Sequence, residues 1–210
     1  MPRNKDLAEL VRARIEESIA AKQLLLQDAR LCEVIAEAGL RLAGALRHGH
    51  KVFFFGNGGS AADAQHLAAE LVGRFETERP ALAAMALTVN TSCLTAIGND
   101  YSFDEIFSRQ LEAFGAPGDV AVGISTSGNS RNVLHAVATA NAHGMITIGM
   151  TGESGGKLKS LVRHCICAPS AHTARIQEVH ILAGHILCEI VEQELFRSPA
   201  QRRTEMAHAH

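Results

Sequence analysis

The chain has 210 residues, 47% of them hydrophobic and 20% charged, with Lys and Arg totalling 20 against 22 Asp and Glu and a formal net charge of −2. That length suits one well-cored globular domain and is short for two. The interspersed, nearly balanced charge excludes the electrostatic footprint of a nucleic-acid or anionic-membrane binder, so any recognition of an anion has to be local.

Met1 to Asp6 is polar and leads straight into a charged helical pattern, and no uncharged apolar run reaches membrane-spanning length; a cytoplasmic protein is expected. Residues 5–48 read as two helices, with Leu7, Val11, Ile15 and Ile19 forming an apolar stripe on the first and Val34, Ala38, Leu42 and Leu46 on the second. This pair carries more apolar surface than the outer layer of a monomer needs, which predicts a helical interface between subunits. Beyond it, five short apolar runs alternate with helical segments: Val52–Phe55, Ala83–Leu87, Val120–Ile124, Met145–Met150 and Cys165–Ala168. Strands at that spacing predict βαβ units and a parallel sheet covered on both faces. A long helix over Thr173–Phe196 closes a domain expected over residues 1–197, and residues 198–210 read as a flexible tail.

Two of the strand-to-helix turns carry chemistry. After Val120–Ile124 comes Ser125-Thr126-Ser127-Gly128-Asn129-Ser130, four hydroxyls and a glycine at a helix start. Unpaired N–H groups and the positive end of the helix dipole meet there, so a hydroxyl-rich turn offers an anion several donors at once. The turn after Val52–Phe55, Gly56-Asn57-Gly58-Gly59-Ser60-Ala61, also fits the G-x-G-x-x-A dinucleotide fingerprint. The acidic residue that fingerprint expects is missing after the second strand, at Leu87-Thr88-Val89-Asn90. The simpler use of the turn is close backbone approach to a polar substrate, with Asn57 adding an amide.

His66 and Glu70 follow on the next helix at i and i+4 and share one face. That pair is compatible with a helix salt link, a metal site or an acid/base pair. On the last helix His185 lies about 20° from Glu178, about 80° from Gln177 and roughly 140° from His180 on a helical wheel. Spacing favours Glu178 as its neighbour and leaves the longer reach of Gln177 open. The five cysteines, Cys32, Cys93, Cys165, Cys167 and Cys188, are odd in number and scattered, unlike a disulfide framework. Cys165 and Cys167 fall at i and i+2 on one strand face and read as two buried, reduced thiols in preference to a thiolate metal pair.

Gly56-Asn57-Gly58-Gly59-Ser60, His66-Leu67-Ala68-Ala69-Glu70, Gly98-Asn99-Asp100, Ile124 through Ser130 and Arg175-Ile176-Gln177-Glu178-Val179-His180 together resemble the sugar isomerase (SIS) domain family, from the first helix to about Phe196. The resemblance implies an α/β fold: one SIS domain, a five-stranded parallel sheet in an αβα sandwich, preceded by two N-terminal helices. Within the family, the His/Glu and Gln/His pairs are similar to those of enzymes that convert D-sedoheptulose 7-phosphate to D-glycero-D-manno-heptose 7-phosphate through a cis-enediol. That is the first step of ADP-heptose synthesis for bacterial surface lipopolysaccharide. By that resemblance Ser125, Thr126, Ser127 and Ser130 hold the phosphate, and Asn57, Gly58, Gly59, Asn99 and Asp100 contact the sugar chain. His66, Glu70, Gln177 and His185 match a zinc site, one per subunit, which selects Gln177 over Glu178. Glu70 and His185 double as the acid/base pair, and Glu70 and Gln177 also face substrate. The resemblance further implies a homotetramer with active sites at subunit boundaries. A non-enzymatic tetrameric relative, an adaptor that binds the DnaA replication initiator, is similar through Arg74 to Pro80 and Ala174 to Glu178. Retention of both Glu70 and His185 argues for the enzyme.

Overall fold

The computed structural model describes residues 2–197; the tail expected over 198–210 lies outside them. Two helices come first, α1 (Pro2–Gln27) and α2 (Ala29–Arg47). They part at Asp28, whose carboxylate caps α2 by accepting from the Leu31 N–H at 2.9 Å. Then follow β1 (Val52–Gly56), α3 (Gly59–Val72), β2 (Ala84–Ala86), α4 (Thr91–Asp100), a 3₁₀ turn (Phe103–Glu105), α5 (Ser108–Phe114), β3 (Val120–Ile124), α6 (Arg131–Ala142), β4 (Ile146–Thr151), α7 (Leu158–Leu161), β5 (His164–Cys167) and α8 (Thr173–Phe196).

The five strands form one all-parallel sheet in the order β2-β1-β3-β4-β5. Every residue of β1 and of β3 is buried, which is why these strands are continuous apolar runs and not alternating ones. Side chains alternate across the sheet, so Val52 and Phe54 join one core with α2, α3 and α8, while Phe53 and Phe55 join a second with α5 and α6. The result is the αβα sandwich the sequence predicted. Strand ends differ by a residue or two from the apolar runs, because ladder bonds and not hydrophobicity set where a strand stops.

Chain order reverses direction between β1 and β3: β1 leads outward to β2, and β3 leads the other way to β4. Adjacent strands whose following connections diverge leave a crevice at their carboxyl ends. The glycine turn and the hydroxyl turn both open there, at strands about 4.8 Å apart.

The α1 stripe did not join the core. Leu7, Val11, Ile15 and Ile19 are 55%, 57%, 53% and 49% exposed, whereas Ala38, Leu42 and Leu46 on α2 are buried. Cys165 and Cys167 also depart from expectation: they are half-buried, because β5 is an edge strand. All five cysteines are free.

Candidate active site

The hydroxyl turn is pre-shaped. Gly128, at φ +65°, closes it with an N–H donated to the Ser125 carbonyl at 2.9 Å. The Ser125 hydroxyl then lies 2.9 Å from that of Ser130 and 3.5 Å from that of Ser127, three oxygens gathered at the start of α6. Ser127 Oγ also accepts from the Asn129 N–H at 3.1 Å. Asn129 Oδ1 in turn accepts from the Lys157 N–H at 3.1 Å, fixing the rim. Thr126 contributes a structural bond, its carbonyl accepting from Gly152 N–H at 3.0 Å.

Across the crevice Asn57 forms a reciprocal amide pair with Asn132, both bonds 2.9 Å, tying the glycine turn to the first turn of α6. Gly58 takes φ +56°, and Gly59 opens α3. A Cβ on Gly59 would collide with the Gln177 amide, so this glycine lets α8 approach α3 closely.

α3 and α8 run side by side, and their seam holds the titratable cluster. His66 Nε2 faces His185 Nε2 at 2.9 Å and Glu70 Oε1 at 3.2 Å. One ligand atom from each of the three lies within 4.8 Å of the others. The imidazoles meet edge to face at 65°, and Phe75 stacks on His185 at 28° with ring centroids 5.5 Å apart. Phe75 is held by a device remote from the site: the buried Glu192 carboxylate accepts from the N–H groups of Phe75, Glu76 and Thr77 at 2.9, 3.0 and 2.8 Å and from Arg79 Nε at 3.0 Å. Burial alone would raise the Glu192 carboxyl; those four donors overcome it and hold it below the usual carboxylate range.

Gln177 sits on the same seam, with its amide against Gly59, seven residues or roughly 10 Å of helix before His66. Glu178, the neighbour the helical wheel favoured, is instead engaged with Arg175 at 2.6 Å. Asn99 and Asp100 lie at the exposed end of α4, where the Asn99 amide donates to the Asp100 carboxylate at 2.8 Å. Four participants were not singled out in the sequence: Asp63, Phe75, Asn132 and Glu192. Asp63 had a visible signal, since Asp63, His66 and Glu70 share one α3 face at i, i+3 and i+7. It is half-buried with Oδ2 unpartnered; burial raises its carboxyl, and the charges of His66 and His185 offset that only in part.

The parallel sheet, the crevice at its switch point, the hydroxyl turn and the helical seam define an α/β protein with polar groups gathered at the carboxyl ends of its strands. The chain matches the SIS domain family over residues 19–152 and belongs to it. It is 49% identical to phosphoheptose isomerase 2 of Campylobacter jejuni over 91% of this chain and 96% of that one. Among solved structures, phosphoheptose isomerase from Neisseria gonorrhoeae superposes with a TM-score of 0.84 at 47% identity, covering 89% of this chain and 99% of that one. The Francisella tularensis phosphoheptose isomerase superposes with a TM-score of 0.85 at 39% identity, over 89% of this chain and 98% of its own.

Proposed function

We propose that the chain is an isomerase that converts D-sedoheptulose 7-phosphate to D-glycero-D-manno-heptose 7-phosphate. The observation that carries this is the convergence of His66, Glu70 and His185 on the α3–α8 seam, whose other end meets the glycine turn at Gly59, in a chain nearly half identical to phosphoheptose isomerases over most of its length. Nothing in the site or the relatives speaks for the initiator-binding adaptor.

Isomerisation moves a proton between C1 and C2 and needs a base for carbon and an acid for the carbonyl oxygen. The cradle of Ser125, Ser127 and Ser130, with Thr126, would hold the phosphate at the far end of the sugar. Asn57, Gly58 and Gly59 would line the chain between. Glu70 would take the proton from C1 as the ketose carbonyl becomes the enediol hydroxyl, then return a proton to C2. His185 would donate a proton to the C2 carbonyl oxygen as the enediol forms and take the C1 hydroxyl proton as the enediol collapses to the aldehyde, its ring plane set by Phe75.

The donor set fits zinc: two imidazole nitrogens and a carboxylate oxygen already face one another, with no thiolate among them. His66, Glu70 and His185 would hold the ion; Gln177 of α8, whose amide lies against Gly59 about two turns along α3, would swing toward them to serve as fourth donor. Bound there, zinc would supply Lewis-acid stabilisation of charge on the sugar oxygens.

The exposed α1 stripe supports a homotetramer. A neighbouring copy would then bring residues such as Asn99 and Asp100 to the crevice. A cytoplasmic enzyme feeding surface-heptose synthesis is consistent with the absence, among the described residues, of any helix long and apolar enough to cross a membrane.

A coupled assay with sedoheptulose 7-phosphate tests the reading. Glu70→Gln and His185→Gln are each expected to lower kcat by at least about a hundredfold. Turnover at the wild-type rate in either variant removes that residue from the chemistry. Chelation should abolish activity and added zinc restore it.

A further inference from the structure

Cys165 and Cys167 have no part in the chemistry above. β5 is the sheet's edge strand, three strand spacings or roughly 14 Å from β1. The two thiols lie on the same strand face, with Sγ atoms 3.7 Å apart. Both are only half-buried and line an open cleft of about 420 Å³ together with Lys159, Arg163 and Arg30. The other three cysteines have no thiol partner of this kind among the described contacts.

Three features make this pair reactive as a unit. The hydrogen bond between the two thiols and the charge of Lys159 together outweigh burial and hold the Cys167 thiol below its usual range, while the same contact and burial push Cys165 up. A thiolate formed at this pair has a second sulfur waiting at contact distance. Two residues of strand advance the Cα by about 6.6 Å, the upper end of the span a disulfide bridges, so closing the 3.7 Å Sγ gap to a bond requires β5 to pucker. Finally, β5 pairs only with β4, so a pucker there disturbs one strand ladder and not two.

We propose that Cys165 and Cys167 are a redox modification site, oxidised by hydrogen peroxide to an intrastrand disulfide. The Cys167 thiolate attacks one peroxide oxygen, and the O–O bond breaks. The departing hydroxide takes a proton to leave as water, and Cys167 becomes a sulfenic acid. The Cys165 sulfur then attacks Cys167, the S–O bond breaks, and a second water carries off the Cys165 proton. Two thiols lose two electrons and two protons, and the peroxide is reduced to two waters.

Hydrogen peroxide applied to the whole protein, followed by alkylation of the remaining thiols and peptide mass mapping, tests this. The expected product has lost the mass of two hydrogens within the segment carrying residues 165 and 167. Both thiols there resist alkylation until dithiothreitol is added, while Cys32 and Cys93 remain alkylable. Cys165→Ser should leave a sulfenic acid at Cys167 that dimedone captures, and Lys159→Gln should slow oxidation several-fold. The proposal is overturned if residues 165 and 167 stay alkylable under peroxide that oxidises Cys32, or if dimedone labels nothing in Cys165→Ser.

Discussion

Two imidazole nitrogens 2.9 Å apart share a single proton or a cation, because two N–H groups cannot point at each other across that distance. Glu70 at 3.2 Å from His66 stabilises positive charge in either case. Ser127 Oγ accepts from the Asn129 N–H at 3.1 Å and lies 3.5 Å from Ser125 Oγ, so on the proposed reading its removal weakens phosphate binding without touching the chemistry. Ser127→Ala is expected to raise KM several-fold with kcat little changed; an unchanged KM places the anion elsewhere. His180 behaves differently from the site histidines. It is fully buried, donates Nε2–H to the Thr151 carbonyl at 3.0 Å, and burial holds its pKa down to about 4. The unfolded chain therefore binds a proton below about pH 6.5 that the folded chain refuses, and stability falls as pH drops from there toward 4. This contribution alone should cost about 2 kcal/mol between pH 7 and 5. Denaturant titrations at both pH values, compared with His180→Leu, would isolate it; an equal slope in the variant assigns the loss to other groups.

The seam between α3 and α8 depends on two glycines, Gly59 against Gln177 and Gly184 against Leu67. At Gly59 the obstacle to a Cβ is the end of a flexible amide, not backbone, so Gly59→Ala should fold yet displace Gln177. The expected outcome is a thermal midpoint within a few degrees of wild type and at least a tenfold loss of kcat/KM; full activity would show that Gln177 is not needed where it lies. At this scale the sequence was legible where one element carries the whole signal. The helix Thr173–Phe196 and the strand Val120–Ile124 were readable to the residue, because capping turns and apolar periodicity are local. Phe75 was not legible. Its place over His185 depends on Glu192, more than a hundred residues later, accepting three successive backbone N–H groups, and no local pattern encodes such a contact.

At the scale of the molecule, α1 keeps its apolar stripe in solvent and is anchored by its inner residues Ala21 and Leu25 and by Arg175, which donates to the Arg14 carbonyl at 2.6 Å. A long helix so exposed is stable when another copy covers it. Ile15→Asp combined with Ile19→Asp should therefore reduce the mass seen by sedimentation, and activity with it if sites are completed across subunits. An unchanged mass would put the interface on another face. The sequence by itself determined the hydroxyl turn and the pairing of His66 with Glu70, because each arises from residues within one or two turns of each other, and it determined the sandwich through the alternation of apolar runs with helical segments along the chain. The resemblance to the SIS family already selected His185 and Gln177; only the tertiary structure decided that the His185 and His66 rings meet at 2.9 Å, that Glu178 is spent on Arg175, and that Cys165 and Cys167 are half-buried and not fully buried. These outcomes depend on how far each helix rotates against its neighbour and on which strand lies at the sheet edge, and both are fixed by packing between segments distant in the chain.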